Sequence, residues 1–258
     1  MIWLRSLIYN VFMVSTALLF SVPVALSAFF PRGQRDGHRL ARRWVIWQFF
    51  VLRHVCHLTY VVSGAENIPH ENAITYWKHE STWETMAQLL IFPAQSWVLK
   101  RELLWLPLIG QAILALAPIA INRKQRHVAV RQVLSEGQAR LEAGLWVSIF
   151  PEGTRMPAGH TRRYGLSGAL LAVQTGRPIV PVAHNAGDFW KRNAFIKHPG
   201  TVQVRVGRPV FANGRRPEEV NAEIQAWVEA EMREISAGYK TQACKIDAPR
   251  PQKPAAHV

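Results

Sequence analysis

The sequence of 258 residues predicts an α/β fold, with a largely parallel central sheet flanked by helices and an N-terminal apolar helical membrane anchor. Short apolar runs rich in β-branched residues alternate with segments of helical periodicity, as in strand–helix–strand units. Most of these runs are apolar at every position, which is expected of strands buried on both faces of a sheet. The anchor is predicted from 26 uncharged residues between Arg5 and Arg32.

This uncharged segment is long enough for a membrane helix. About 20 apolar residues cross bilayer hydrocarbon, so the segment can span the membrane or lie deep in its interface. A cleaved secretory signal is the alternative, because residues 25–28 (ALSA) vaguely resemble a cleavage site. However, the apolar region of a signal is usually about 7–15 residues, and Leu26 is bulky at the third position before the cut. We therefore expect a retained anchor.

A second apolar helix is predicted at residues 44–52 (WVIWQFFVL), and it is too short to cross a bilayer. It can lie among lipid headgroups or in the protein core. The segment before it is basic, with five arginines after the anchor against Arg5 alone before it: Arg32, Arg35, Arg39, Arg42 and Arg43. If the anchor spans the membrane, this bias places the rest of the chain in the cytoplasm.

The rest of the chain alternates strands and helices. Strands are predicted at residues 73–77, 96–99, 117–121, 145–150, 178–184 and 202–206. Helices are predicted at residues 130–141, 166–175 and 217–235, where apolar side chains recur at helical spacing. We divide the chain into anchoring helices (1–60), an α/β domain (61–239) and a tail (240–258) without periodicity that is predicted to be disordered.

The charge indicates anionic partners. The net charge is +14 and the pI about 10.6, which favours a membrane surface, nucleic acid, or acidic substrates and carriers. The two cysteines, Cys56 and Cys244, indicate neither a disulfide framework nor a cysteine-ligated zinc site.

The stretch YWKHESTWET (76–85) contains His79 and Glu84. A zinc protease motif, H-E-x-x-H, would need a histidine where Trp83 stands, so we expect no metal site. Glu84 can instead stand at the third helical position of a capping box with Ser81 as N-cap, which would give it no chemical role. With His79 on the loop before the helix, the carboxylate can also orient the imidazole, as in acyl-transfer chemistry.

Three other segments end predicted strands at the same edge. FPEGTR (150–155) leaves Glu152 and Arg155 at a strand exit, with Gly153 allowing close backbone approach. APIAINR (117–123) ends in Arg123, and IVPVAHNAG (179–187) brings another strand to this edge. Two arginines at strand exits can together bind a phosphate group. A surface position for Arg155, or a salt bridge to Glu152, is the alternative.

Together these segments resemble the glycerolipid acyltransferases, specifically the bacterial 1-acyl-glycerol-3-phosphate acyltransferase family. The four family blocks resemble KHESTWE, KRELLWLPLIG leading to APIAINR, FPEGTR and IVPVAHNAG, over roughly residues 60–210. The chain departs from the family pattern in the first block, where Lys78 precedes His79 in place of asparagine and Glu84 stands in place of aspartate.

The resemblance implies a function and a site in the acyltransferase domain (61–239). His79 would be the general base on the free hydroxyl of lysophosphatidate, which attacks a fatty-acyl thioester, and Glu84 would orient His79. The implied substrate-binding residues are Arg123 and Arg155 for the phosphate, Lys100 as a weaker contact, Glu152 and Gly153 shaping the pocket, and Pro181 on the acyl side.

The implied partners are lysophosphatidate, an acyl thioester and the anionic membrane surface, with acyl carrier protein as a further partner. No cofactor is expected, because acyl-CoA or acyl-ACP is a donor substrate. The implied location is the inner (cytoplasmic) membrane, with the catalytic domain facing the cytoplasm. Acylation of another lysolipid, such as lyso-ornithine lipid or a lysophospholipid, is the alternative. A membrane-bound basic nucleic-acid-binding protein is disfavoured, because the aromatic residues lie in the anchor and in buried runs, so we expect no nucleic acid.

Overall fold

The computed structural model describes residues 1–30 and 32–240, and the backbone alone of residues 241 and 245–246. Within these residues, seven strands form the sheet that positions the site. They are β1 (Leu58–Ser63), β2 (Ile74–Trp77), β3 (Gln95–Lys100), β4 (Ile119–Ile121), β5 (Trp146–Ile149), β7 (Ile179–His184) and β8 (Gly200–Val206). Two short strands, β6 (His160–Thr161) and β9 (Lys245–Ile246), pair in parallel elsewhere.

Helices cover the sheet and extend before it. They are α1 (Ile2–Ser27), α2 (Gly33–Val55), α3 (Trp83–Ile91), α4 (Ile109–Ala115), α5 (Arg126–Glu142), α6 (Ser167–Thr175), α7 (Ala186–Phe189), α8 (Pro217–Ile235) and α9 (Ala237–Thr241). Short 3₁₀ turns lie at Ala65–Asn67 and Arg101–Trp105. The predicted disordered tail (240–258) lies outside the described residues, apart from the end of α9 and strand β9.

The strand order is β1-β8-β7-β2-β5-β3-β4. The five strands from β7 to β4 run parallel to one another, whereas β8 pairs antiparallel with β7 and parallel with β1. The predicted fold class is therefore confirmed. Because the five parallel strands end at one edge, the residues that follow them meet there.

Each predicted strand is present, whereas β1 of the main sheet and the short pair β6 and β9 were not predicted. The sequence was divided at residue 60, but Leu58 already lies in β1, which pairs along its length with β8. This edge strand has mixed exposure and directly follows an apolar helix, so its pattern does not separate it from the helix. The predicted helices correspond to α5, α6 and α8. Gly176 ends α6 in the left-handed conformation, and Pro217 begins α8.

The two faces of the sheet are covered by different helices. Alternation along β2 points Trp77 to the side covered by α1, α2 and α3, and Tyr76 to the side covered by α5, α6 and α8. Along β7, Val182 faces the first side, while Ile179 and Ala183 face the second.

Helix α2 is longer than predicted, because the basic segment from Gly33 is its first half. Val45 and Leu52 are fully buried against the core, whereas Trp47 and Phe50 on the opposite face are more than half exposed. The alternative that placed residues 44–52 in the protein core is therefore confirmed for one face of this helix, and the placement of the exposed face among lipid headgroups stays a prediction.

Helix α1 lies along the domain and packs against α2 and α4. Tyr9 and Val24 are buried at this contact, while Val11 and Leu19 on the other face are exposed. Lys197 links α1 to the domain. Its ammonium lies 4.5 Å from the centre of the Trp190 ring in the domain, and its backbone N–H donates a hydrogen bond to Ser6 Oγ in α1 at 3.0 Å. Among the described residues, α1 is the helix long and apolar enough to cross a membrane.

Candidate active site

His79 lies on the loop between β2 and α3, two residues beyond the end of the strand. The loop turns into the helix at Ser81, whose Oγ accepts a hydrogen bond from the Trp83 N–H at 3.1 Å. The Ser81 N–H in turn donates to both carboxylate oxygens of Glu84, at 2.8 and 3.0 Å. These reciprocal contacts resemble the predicted capping box, but the N-cap of α3 is Thr82, one residue later than predicted.

The Glu84 carboxylate also contacts the imidazole, so capping and orientation use the same side chain. His79 Nδ1 lies 2.8 Å from Glu84 Oε1, and the Glu80 N–H donates to the same oxygen at 3.1 Å. A carboxylate can only accept, so Nδ1 carries the proton and Nε2 keeps a free lone pair. Burial raises the pKa of Glu84, but the hydrogen bond from His79, the nearby His184 and the Ser81 N–H together bring it below the ordinary value.

His79 lines a cavity, and its side chain is 11% exposed. Its ring stacks on Phe150, with the ring centres 3.9 Å apart. Burial lowers the pKa of His79; the Glu84 contact opposes this effect, and Arg155 and Arg123 lower the pKa further. The imidazole is therefore neutral at neutral pH and can take up a proton at Nε2.

The cavity has a volume of about 590 Å³ and is polar at one end and apolar along its length. The charged side chains at the polar end belong to Lys100, Arg123, Arg155 and Arg192. The apolar walls come mainly from α1, α2, α3 and α4, and include Met13, Phe20, Val24, Trp44, Met86, Leu89 and Leu116. Such a cavity can hold an aliphatic chain beside an anionic group.

Two of the arginines at the polar end, Arg123 and Arg192, donate to backbone carbonyl groups. Arg123 follows β4, and its Nη1 donates to the Gly153 carbonyl at 2.6 Å. Gly153 has a φ of 71°, the left-handed conformation that favours glycine and turns this carbonyl toward Arg123. Arg155 lines the cavity from the same loop, and its own carbonyl accepts from Arg192 Nη1 at 2.9 Å.

Two predicted substrate-binding residues lie elsewhere. The Glu152 side chain is fully buried beneath the cavity, where it pairs with Lys78 and accepts the His79 N–H at 3.0 Å, so it contacts neither Arg155 nor the cavity. Pro181 shares the face of β7 with Ile179, opposite the cavity, because side chains alternate along a strand. Lys100 does line the cavity, with its ammonium 3.4 Å from Glu102.

A cluster of ionisable side chains is buried behind His79, on the face of the sheet opposite the cavity. Burial raises the pKa of Glu152 to about 7, against the opposing effect of the Lys78 ammonium. Burial also raises the pKa of Glu80 well above its ordinary value. The pKa of Lys78 is raised, because Glu152 and Glu229 outweigh the effect of burial.

The sequence did not reveal Arg192 or this cluster. Arg192 lies in the loop after α7, outside the four blocks, and no spacing connects it to His79. For Lys78, the signal was its unusual place before the histidine, but its partners are far apart in the chain. Glu229 lies 151 residues later, in α8.

The fold matches a solved acyltransferase. The crystal structure of the 1-acyl-sn-glycerophosphate (LPA) acyltransferase PlsC from Thermotoga maritima superposes with a TM-score of 0.72 and 24% identity, covering 94% of this chain and 97% of that one. The family model described as Acyltransferase matches residues 59–185, which include the His79 loop, strands β2 to β7 and the part of the cavity lining that lies between Thr82 and Arg155. Fold and site together define an α/β acyltransferase.

Curated relatives identify the family. The 1-acyl-sn-glycerol-3-phosphate acyltransferase of Pseudomonas aeruginosa is 42% identical over 200 residues, which are 76% of this chain and 78% of that protein. The alpha enzyme of that name from Mus musculus is 32% identical over 62% of this chain and 58% of its own length. The chain belongs to the acyltransferase family that contains these enzymes.

Proposed function

We propose that this enzyme transfers a fatty-acyl chain from an acyl thioester to the free hydroxyl of 1-acyl-glycerol-3-phosphate and so forms phosphatidate for phospholipid synthesis. One observation carries the proposal: His79, oriented by Glu84, lies in the same cavity as Arg123 and Arg155, beside apolar walls. The relatives from Pseudomonas and mouse, whose names specify this acceptor, support it.

The proposed reaction uses His79 as a general base. Nε2 takes the proton of the acceptor hydroxyl while the oxygen attacks the thioester carbonyl carbon. The tetrahedral intermediate then expels the sulfur as a thiolate, which takes the proton back from the imidazolium and leaves as a thiol. A positioned base of this kind contributes about 10²–10⁴-fold to the rate. Glu84 stabilises the imidazolium and fixes its tautomer.

The phosphate of the acceptor is assigned to Arg123 and Arg155. Both guanidinium groups line the polar end of the cavity and both act electrostatically on His79, so a small headgroup can reach them while its hydroxyl meets Nε2. Guanidinium groups bind phosphate oxygens in pairs of hydrogen bonds. The acyl chain of the acceptor then lies along the apolar walls formed by α1 to α4.

The acyl donor is a substrate and is carried by coenzyme A or by acyl carrier protein. Both carriers are anionic, and the net charge of +14 favours their approach. The amide-linked arm that bears the thioester would enter at the polar end, where Lys100 and Arg192 lie.

We further propose that the enzyme is bound to the cytoplasmic face of the inner membrane, with α1 lying in the interface. Along its length, α1 contacts the domain through Tyr9 and Val24, which leaves one apolar face for lipid. If α1 crossed the membrane, its contacts with the domain through Tyr9 and Val24 would be lost. An impermeant maleimide tests this: in intact cells, a cysteine at position 2 stays unlabelled if α1 lies in the interface and is labelled if α1 crosses.

The test of the activity is release of free thiol by the detergent-purified protein supplied with lysophosphatidate and acyl-coenzyme A. His79→Ala should lower this rate about 10²–10⁴-fold, the contribution of a positioned base. His127→Ala, which removes an exposed histidine on α5, is the control and should keep full activity. Acylation of lyso-ornithine lipid but not of lysophosphatidate would contradict the proposed acceptor.

A further inference from the structure

Lys78 is buried directly behind His79. Neighbouring side chains of an extended chain point to opposite sides, so His79 faces the cavity and Lys78 faces α8. The Lys78 side chain is fully buried. A buried ammonium group is costly unless each of its donors is paired.

The three donors of the Lys78 ammonium match three acceptors. They are Glu152 Oε1, the His160 carbonyl oxygen at 2.9 Å and Glu229 Oε1 at 3.5 Å. An ammonium group has three N–H bonds and accepts none, so this arrangement satisfies it fully. Lys78 therefore connects β2 to the loop after β5, to β6 and to α8.

Glu152 joins this lysine to His79. One oxygen binds the Lys78 ammonium and the other accepts the backbone N–H of His79 at 3.0 Å. The His79 carbonyl also accepts the Met156 N–H at 2.6 Å, which further connects the His79 backbone to the loop that carries Glu152. His79 is thus held at two points: Glu84 contacts its ring and Glu152 accepts its backbone N–H.

We propose that Lys78 is a positioning residue for the general base: its ammonium fixes the Glu152 carboxyl group, Glu152 sets the backbone of His79, and Glu229 holds Lys78 in place. The inference rests on the proposed function, because it assigns Lys78 a role in the same acyl transfer. Lys78 does not line the cavity and makes no contact with substrate.

The charges around Glu152 explain why the lysine is needed. Within the described residues, the groups acting on it or packed near it are Lys78 and Glu80 beside β2, Glu229 on α8, and the tyrosines Tyr164 and Tyr239. Lys78 is the cation among them, and even with its opposing effect burial raises the pKa of Glu152 to about 7. Without Lys78 this pKa would rise further, so more of Glu152 would be protonated at neutral pH, and a neutral acid is a weaker acceptor for the His79 N–H than a carboxylate.

The test is Lys78→Met, a substitution of similar length without charge. The kcat for thiol release should fall about 10–100-fold, the range expected for a charge-assisted hydrogen bond that positions a base. The KM for lysophosphatidate should stay within about twofold, because the phosphate site is intact, whereas general loss of structure would change both. Glu231→Gln, at a surface ion pair on the same helix as Glu229, is the control and should keep the wild-type kcat.

A double-mutant cycle tests whether Lys78 acts on His79 through Glu152 or only stabilises the fold as an ion pair. In a Glu152→Gln background there is no carboxylate to hold, so Lys78→Met should cost less than about threefold in kcat. Equal losses in both backgrounds, or an unchanged kcat in folded Lys78→Met, would overturn the proposal.

A second variant, Glu229→Gln, tests the same proposal if Lys78→Met does not fold. If Lys78→Met does not accumulate as folded protein, Glu229→Gln decides, because it loosens the lysine without emptying its site. A kcat equal to that of Glu231→Gln would then count against the proposal, and a several-fold loss at constant KM supports it. Absence of thiol release by the wild-type protein with lysophosphatidate contradicts the proposed function instead, and the same comparison is then made on the lysolipid that is acylated.

Discussion

At the scale of single residues, the acid at position 84 has two tasks that the sequence presented as alternatives. Its carboxylate accepts the N–H groups that begin α3 and also the proton on Nδ1 of His79. The longer side chain of glutamate reaches both because His79 lies on the loop before the helix. The same loop places Lys78 on the opposite side, where it binds Glu152.

The pKa of His79 gives a prediction with opposite signs for two variants. It lies below the ordinary 6.5, so kcat should fall only as the pH drops below that value and the base becomes protonated. Arg155→Gln removes a positive charge near the ring, so the pKa should rise and the acid limb of the kcat–pH profile should move to higher pH. Glu84→Gln removes the carboxylate that stabilises the imidazolium, so the limb should move to lower pH, with a reduced plateau.

Rates at saturating substrate between pH 4.5 and 8 measure these limbs. Arg155→Gln should also raise the KM for lysophosphatidate, since it removes a phosphate contact. Movement of both limbs in the same direction would show that the group being titrated is not His79.

At the scale of elements, the site depends on close packing between α6 and β2. Gly168 of α6 lies against the ring of Tyr76, which is buried and donates to Asn221 Oδ1 at 3.2 Å. A Cβ atom at this position would overlap the Tyr76 ring. Since His79 follows β2 by two residues, this contact also fixes the strand that presents the base.

We expect Gly168→Ala to lower the free energy of unfolding by about 1–3 kcal/mol, because a rigid buried ring must move, despite the better helix propensity of alanine. Thermal unfolding in detergent measures the change. Gly165→Ala is the matched control, because its Cβ would lie 3.5 Å from Pro151 O, an ordinary van der Waals contact, and its Tm should stay near that of the wild type. A Gly168→Ala protein as stable as the control would contradict the packing described here.

The predicted elements were found where a single pattern defined them, and missed where two patterns met. Strand β8 alternates, and Val202, Val204 and Val206 are buried as expected. Strand β1 was assigned to the anchor, because an apolar helix runs into it without a clear break. Strand β7 was found, but the side to which Pro181 points is set by its register against β2 and β8.

At the scale of the whole molecule, the helices α1 and α2 and the turn before α4 carry large exposed apolar side chains. Large exposed apolar side chains include Leu19 on α1, Trp47 on α2 and Trp105 in the turn before α4. A lipid surface can cover all of them while the cavity opens beside it. Basic side chains nearby contribute about 1 kcal/mol each at an anionic membrane.

Binding to lipid vesicles should therefore have an electrostatic component and an apolar component. Vesicles containing phosphatidylglycerol should bind more protein than neutral ones, and about 1 M salt should reduce the binding to the neutral level without abolishing it, since salt screens charges but not apolar contacts. Leu19→Glu should weaken the residual binding in a flotation assay. Val173→Glu, at an exposed apolar side chain of α6 on the other side of the sheet, is the control. Equal binding by the two variants would contradict this orientation.

The sequence by itself determined the fold class, the apolar helix at the start, the residues His79, Arg123 and Arg155 after strand ends, and Glu84 in the first turn of a helix, since periodicity, strand exits and helix starts are local patterns. Only the tertiary structure decided that Glu152 lies beneath the cavity with Lys78, that Pro181 faces away from it, and that Arg192 joins it. These positions depend on strand order, and on which face of the sheet each side chain occupies. The partners involved are separated by 37 to 151 residues, so no local pattern connects them.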